Sequence, residues 1–108
     1  MADAAIITSI QRYLRRLSDA GIPVDFGVLF GSYAVGGATK DSDIDLIVVS
    51  SLFDNMKDRQ WVHKLWHIAA RTDSRIEPIP CGQNQWLTDG GTPIISLAQN
   101  EGVKIPLS

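Results

Sequence analysis

Two aspartates, Asp43 and Asp45, stand one residue apart and could bind a metal ion together. The apolar segment Ile44–Val49 predicts a β-strand, and side chains two positions apart on a strand project from the same face. Two neighbouring carboxylates repel each other unless a cation lies between them. Mg²⁺ fits such a pair, because it binds one or two carboxylates together with the phosphates of a substrate. The pattern therefore predicts a magnesium site.

A glycine–serine pair, Gly31-Ser32, precedes Asp43 by ten intervening residues and could bind those phosphates. Gly31 would let a phosphate approach the backbone without a Cβ in the way, and Ser32 adds a hydroxyl donor. If a helical turn begins at Ser32, its free N–H groups favour an anion. A phosphate-binding loop beside a metal-binding strand is the arrangement that metal-assisted nucleotidyl transfer requires.

A third acid, Glu77, lies in the segment Arg75–Ile79, which predicts another strand. If this strand is a neighbour of Ile44–Val49, Glu77 can complete a site of three carboxylates. In that position it could bind a second metal ion or take the proton of an attacking hydroxyl group.

The complete pattern resembles the DNA polymerase β-type nucleotidyltransferase superfamily. It consists of Gly31-Ser32, ten residues, Asp43-x-Asp45 and a later strand acid. The short chain and the segment Ser42–Leu46 are most similar to the minimal nucleotidyltransferases of that superfamily. The resemblance extends from Val24 to about Pro80.

This resemblance implies a role for each matching residue. Many relatives carry aspartate at the position of the third acid, so a glutamate there is a mild variation. The resemblance implies that Gly31 and Ser32 bind the triphosphate, and that Asp43 and Asp45 are catalytic, bind Mg²⁺ and take part in nucleotide binding. It implies that Glu77 is the third carboxylate, which is catalytic and a metal ligand.

Free-standing minimal members of this superfamily resemble antitoxins that are paired with an all-helical HEPN ribonuclease toxin. In such pairs, the nucleotidyltransferase transfers AMP from ATP to a tyrosine hydroxyl of the toxin. The resemblance therefore implies an ATP-using protein adenylyltransferase that acts as an antitoxin. Two alternatives stay open. The protein could neutralise a partner by masking it without catalysis, or it could transfer nucleotides to a small molecule or an RNA end.

Other metal and phosphate motifs fit less well. An EF-hand loop fails because Leu46 stands where glycine is needed and Leu52 where glutamate is needed. A Walker-type loop fails because Gly37 stands where the lysine belongs. His63 and His67 are four residues apart on a predicted helix and could share a metal, but the sequence offers no third ligand. Surface histidines are the favoured interpretation.

The elements that must position these residues alternate between helix and strand. This order predicts an α/β fold with helices packed on a sheet. The resemblance further implies a single nucleotidyltransferase-like domain over residues 1–108, with a short mixed sheet flanked by helices. Asp3 is expected to cap the first helix and Gly21 to follow its end. Pro78 places its strand near an edge of the sheet. The predicted elements are a helix at Asp3–Ala20, a strand at Val24–Phe30, a loop at Gly31–Ser42, a strand at Ile44–Val49, a helix from Asp54 or Lys57 to Arg71, a strand at Arg75–Pro80 and a helix from Pro93 to about Gly102.

Composition limits the remaining function classes. The chain has 108 residues, of which 44% are hydrophobic and 20% charged, as in an ordinary globular protein. Its net charge of −2 gives no general attraction to nucleic acid. No apolar run approaches the ~20 residues that cross a bilayer. The single cysteine, Cys81, excludes a disulfide framework within the chain and is expected of a protein in the reducing cytoplasm.

Overall fold

Helices and strands alternate along the chain as far as β3, as the sequence predicts, and two helices then follow each other before the last strand. The computed structural model describes residues 4–39, 41–55, 59–88 and 92–107. The helices in these ranges are α1 (Ala4–Asp19), α2 (Ser32–Val35), α3 (Gln60–Thr72), α4 (Gln83–Thr88) and α5 (Pro93–Glu101). A 3-10 helix lies at Ser51–Asn55. The strands are β1 (Val24–Phe30), β2 (Ile44–Ser50), β3 (Ile76–Cys81) and β4 (Val103–Ile105).

The four strands form one mixed sheet in the order β3-β2-β1-β4. Strand β1 runs antiparallel to both β2 and β4, whereas β2 and β3 are parallel. Parallel neighbours need a crossover connection, and α3 supplies it between β2 and β3. The predicted α/β fold with a short mixed sheet is therefore confirmed.

One side of the sheet, which we call the first face, is covered by α1 and α3. Helix α1 buries an apolar stripe there, whose members recur at the helical spacing of three or four residues: Ile6, Ile10, Leu14 and Leu17. Alternate residues of β2 meet this stripe, namely Ile44, Leu46 and Val48. Tyr13 is also buried in this core, where its hydroxyl donates a hydrogen bond to the carbonyl oxygen of Leu65 at 2.8 Å.

The opposite side of the sheet, the second face, is covered by α4 and α5. Ile95 and Ala98 of α5 pack there on a smaller cluster that includes Ile47 and Val49 of β2. Trp86 of α4 packs against this cluster and contacts the ring of Phe26 edge to face, with 5.9 Å between the ring centroids. Each residue of β2 therefore faces one core or the other, according to its parity.

The element boundaries differ from the predictions by a few residues. The proposed cap Asp3 and the alternative helix start Lys57 lie outside the described residues. The other proposed start, Asp54, belongs to the 3-10 helix, so α3 begins later, at Gln60. Gly21 has a φ of +99°, as expected for a residue that follows a helix end.

Two elements at the C-terminal end were not predicted. Helix α4 lies between the predicted third strand and last helix, and β4 follows α5 directly. Strand β3 forms an edge of the sheet, as the proline at position 78 predicted. Among the described helices, none has the length and apolar character required to cross a membrane.

Candidate active site

Three neighbouring strands bring the predicted site residues to one end of the sheet. Gly31 follows the last residue of β1, Asp45 is the second residue of β2, and Glu77 is the second residue of β3. Asp45 stands opposite Phe30 in the antiparallel β1–β2 pair and opposite Glu77 in the parallel β2–β3 pair. The antiparallel β1–β2 pair therefore places Gly31 beside Asp45, and the parallel β2–β3 pair places Glu77 on the other side of Asp45.

The acids lie on the second face, as the alternation of β2 requires. Ile44, between the two aspartates, is completely buried in the first-face core. Its burial orients Asp45 toward the opposite side, where the carboxylate is half-buried, while Asp43 is exposed just before the strand. Packing on one side of the strand thus determines where the acids point on the other.

The three carboxyl groups interact with one another. Partial burial raises the pKa of Asp45, the negative charge of Asp43 raises it further, and the interaction with Glu77 offsets part of this increase. The pKa of Glu77 is also raised, first by loss of solvation and then by the charges of Asp43 and Asp45. Close contact of Glu77 with both aspartates adds to this increase in its pKa. This cluster of like charges would be relieved by a bound cation.

The oxygen donors of this site fit the requirements of Mg²⁺. Within the described ranges, no group of three or more histidine, cysteine or carboxyl side chains is arranged to hold a metal ion by itself. Mg²⁺ does not need such a cage, because it keeps waters and takes substrate phosphates alongside one or two carboxylates. Asp43 and Asp45, with Glu77 opposite Asp45 on the next strand, provide the hard oxygen donors that fit this ion.

Gly31 is required at its position for two independent reasons. Its φ of +76° lies in the region that side chains other than glycine rarely adopt. A Cβ on Gly31 would also overlap the Oδ2 atom of Asp45. The backbone of the turn therefore passes directly against the carboxylate, and only glycine allows that approach.

Ser32 begins α2, a single helical turn within the segment predicted as a loop. Its carbonyl oxygen accepts hydrogen bonds from the N–H groups of Gly36 and Gly37, each at 3.0 Å. Gly36 has a φ of +90°, which reverses the chain after the turn. The half-buried Ser32 thus lies next to Gly31, on the same turn that contacts Asp45.

Sequence reasoning did not identify the residues that hold this turn in place. The Tyr33 hydroxyl accepts a hydrogen bond from Nη1 of Arg75 at 3.2 Å and donates one to the carbonyl oxygen of Thr39 at 2.9 Å. Its position directly after Ser32 is the one local indication in the sequence that Tyr33 contributes to this turn. No pattern in the sequence pairs it with Arg75, 42 residues away.

The histidine pair lies elsewhere in the molecule. His63 and His67 are exposed on α3, the helix that covers the first face. The acids point to the second face, so the histidines and the carboxylates lie on opposite sides of the sheet.

Solved structures with the same fold include nucleotidyltransferases and toxin–antitoxin complexes. No curated protein matches the chain. A protein from Sulfolobus solfataricus described as a nucleotidyltransferase superposes with a TM-score of 0.62 at 12% identity, over 91% of this chain and 77% of that one. A chain of a toxin–antitoxin complex with AMP-PNP superposes with a TM-score of 0.60 at 23% identity, over 87% and 70%. A third structure is the complex of the tri-AMPylated Shewanella oneidensis HEPN toxin with MNT antitoxin. One chain of that complex superposes with a TM-score of 0.57 at 19% identity, over 90% of this chain and 68% of that one.

These identities are low, so the superpositions support the fold and not a shared substrate. The family is shown by the sequence pattern of the nucleotidyltransferase domain, which matches residues 8–79. The match covers more than half of the chain and includes the glycine–serine turn and all three acids described above. This chain therefore belongs to the nucleotidyltransferase domain family.

Proposed function

We propose that the protein is a Mg²⁺-dependent nucleotidyltransferase that transfers AMP from ATP to a hydroxyl group of a partner protein. The observation that carries the proposal is the contact between the Gly31 turn and the Asp45 carboxylate, with Glu77 in register on the next strand. In the proposed reaction, the partner is a HEPN-type toxin, the acceptor is one of its tyrosines, and this chain is the antitoxin. The tri-AMPylated HEPN toxin among the structural neighbours supports this choice of acceptor.

Each residue of the site has a distinct task in the proposed reaction. Asp43 and Asp45 would hold Mg²⁺, which supplies positive charge to the phosphates of ATP. The missing Cβ of Gly31 makes room for the Asp45 carboxylate, and not for a phosphate as the sequence suggested, so phosphates bound by this turn would lie next to a metal-binding acid. The Ser32 hydroxyl donates a hydrogen bond to a phosphate oxygen. The tyrosine oxygen of the acceptor attacks the α-phosphorus, and the bond from that phosphorus to pyrophosphate breaks.

Glu77 is the proposed acceptor for the proton that the tyrosine loses. Its pKa is raised above that of an ordinary glutamate, so its carboxylate is a better base. The proton moves from the attacking hydroxyl to Glu77, and pyrophosphate leaves with its negative charge. In an alternative role, Glu77 is the third carboxylate that binds metal.

The proposal is tested by incubating the chain with Mg²⁺, ATP and the protein encoded next to it. Intact-mass spectrometry of that partner should show additions of single AMP groups. Asp43→Asn should abolish them, because the substitution removes a metal ligand. Asp41→Asn, which alters an exposed aspartate two residues earlier, is the matched control and should label normally. Normal labelling by Asp43→Asn would contradict the mechanism.

A second candidate function is neutralisation by masking, without chemistry. It is favoured by large apolar side chains that remain exposed beside the second face: Leu87 of α4 is 74% exposed, and Ile94 and Leu97 of α5 are 44% and 41% exposed. Such a surface can bind a protein partner. The double variant Asp43→Asn/Asp45→Asn separates the two functions in cells that express the toxin. Full protection by this variant would favour masking, and loss of protection would favour catalysis.

A further inference from the structure

A single hydroxyl group, that of Tyr33, joins three segments that surround the proposed site. Tyr33 belongs to α2, directly after Ser32, and its ring packs against the first-face core. Its oxygen donates to the carbonyl of Thr39, in the segment that leads to Asp43. The same oxygen accepts from Arg75, just before β3. The phosphate turn, the approach to the aspartates and the strand of Glu77 therefore meet at one atom.

The Arg75 side chain is held in place by a carboxylate that lies outside the proposed metal site. Its Nε and Nη2 atoms bind the two oxygens of Asp73 at 3.0 Å and 2.7 Å, which is the forked geometry of a strong ion pair. The ion pair lowers the pKa of Asp73. The remaining nitrogen, Nη1, is then directed toward the Tyr33 hydroxyl. The backbone of Arg75 is also fixed, because its carbonyl accepts the N–H of Ile44 at 2.8 Å.

The segment on the other side of Tyr33 is closed by its own hydrogen bonds. The N–H of Thr39 donates to the hydroxyl oxygen of Ser42 at 2.9 Å, and the N–H of Ser42 donates to the carbonyl of Thr39 at 3.0 Å. Ser42 immediately precedes Asp43. By holding the Thr39 carbonyl, Tyr33 therefore holds a closed turn whose last residue adjoins the first metal-binding aspartate.

We infer that Tyr33 is a positioning residue, which sets the separation between the phosphate-binding turn and the aspartate pair. The inference rests on the proposed function, since it concerns the alignment of ATP phosphates with the carboxylates. A small displacement of reacting groups is costly in transfer reactions, because the attacking and leaving atoms must be in line. Tyr33 would touch neither ATP nor the metal, and it would act through the two segments that do.

The test compares two tyrosine-to-phenylalanine substitutions that each remove one hydrogen-bonded hydroxyl. Tyr33→Phe should lower kcat/KM for ATP about tenfold, a factor typical of losing one or two hydrogen bonds. Tyr13→Phe, in the first-face core, should lower the thermal midpoint and leave kcat/KM for ATP unchanged well below that midpoint. Hydrogen exchange of the amides at 36–42 should accelerate in Tyr33→Phe and not in Tyr13→Phe.

The outcomes separate this inference from the proposed function. If the wild-type chain transfers nucleotide and Tyr33→Phe has the same kcat/KM, the positioning role is overturned, whatever happens to stability. If the wild-type chain transfers nothing, the proposed function fails, and hydrogen exchange still decides whether Tyr33 holds the loop. Unchanged exchange at 36–42 in Tyr33→Phe would overturn the inference in that case.

Discussion

The two faces of the sheet differ although they share the same strands. Of the residues that the structure describes, sixteen are buried in the first-face core and seven in the second-face core. Along β2, Ile44, Leu46 and Val48 face the first side, while the residues on the second side begin with the half-buried Asp45. Burial of each large aliphatic side chain contributes about 1.5–3 kcal/mol. The first face therefore provides most of the packing energy, and the second face can hold carboxylates that repel one another.

This division predicts that chemistry and stability respond to different substitutions. Asp45→Asn should reduce nucleotide transfer about 1,000-fold, which corresponds to ~4 kcal/mol in the activation free energy. The thermal midpoint should stay constant or rise, because the raised pKa of Asp45 shows that the folded protein disfavours its charge. Initial transfer rates and thermal unfolding of the same preparation measure both effects. A large fall in the midpoint would show that the two faces are not separable.

The converse substitution is Leu14→Ala on the first face. Leu14 is completely buried between α1 and the sheet, so its truncation should lower the free energy of unfolding by about 2–5 kcal/mol. Urea titration measures the loss, and kcat at a temperature where the variant remains folded should be unchanged. Leu97→Ala, at a half-exposed position of α5, should change stability by less than about 0.5 kcal/mol. Equal losses in the two variants would contradict the assignment of the main core to the first face.

A pair of glycine substitutions sharpens the comparison at the boundary of the site. Gly31 and Gly21 both have positive φ values, of +76° and +99°. Alanine at either position should cost about 1–2 kcal/mol of stability. At Gly31 alone the new Cβ meets Asp45, whereas at Gly21 it meets no atom within 4 Å. Calorimetry with AMP-PNP and Mg²⁺ should therefore show weaker binding for Gly31→Ala only, and weakened binding by Gly21→Ala would argue against the steric explanation.

The smallest expected effect is a pH dependence of the free energy of unfolding, which arises from the carboxyl groups on the second face. The folded protein binds protons at Asp45 and Glu77 more tightly than the unfolded chain does, since both pKa values are raised. Without metal, these two groups should therefore lower the free energy of unfolding as the pH rises above the ordinary values of 3.8 and 4.5. Asp73 has the opposite effect, because its pKa is lowered in the folded protein. It stabilises the folded protein when ionised, and this stabilisation is lost as the pH falls.

Thermal unfolding with EDTA at a series of pH values isolates this contribution. Glu77→Gln should reduce the decline toward neutral pH, because it removes one of the two groups with a raised pKa. Added Mg²⁺ should oppose the decline in the wild-type chain, since it binds the ionised carboxylates. A wild-type profile identical to that of Glu77→Gln would show that this acid does not interact with the aspartates.

Features that depend on local periodicity could be predicted from the sequence. The buried stripe of α1 follows the helical repeat, and the placement of Ile44 and Asp45 on opposite faces follows the strand repeat. The spacing of Gly31-Ser32 and the aspartates was sufficient to indicate one site. Its three acids do lie at the same end of the sheet, while their roles in catalysis stay predictions.

Features that depend on distant contacts could not be predicted in this way. Helix α4 begins where Asp54 accepts the N–H groups of Asn84 and Gln85, about 30 residues further along the chain. Strand β4 has three residues and is defined by its pairing with β1. The contact of Tyr33 with Arg75 likewise joins segments that no local pattern relates.

The prolines of β3 have a consequence for how another protein could approach this end of the molecule. Pro78 and Pro80 lie in an edge strand, where they lack the N–H groups that would otherwise be available to a further strand. The exposed edge of β3 next to Glu77 is therefore a poor template for β-augmentation. The missing N–H donors also disfavour edge-to-edge aggregation through this strand. An incoming protein would have to be recognised there through side chains, and an extended peptide could not simply lengthen the sheet.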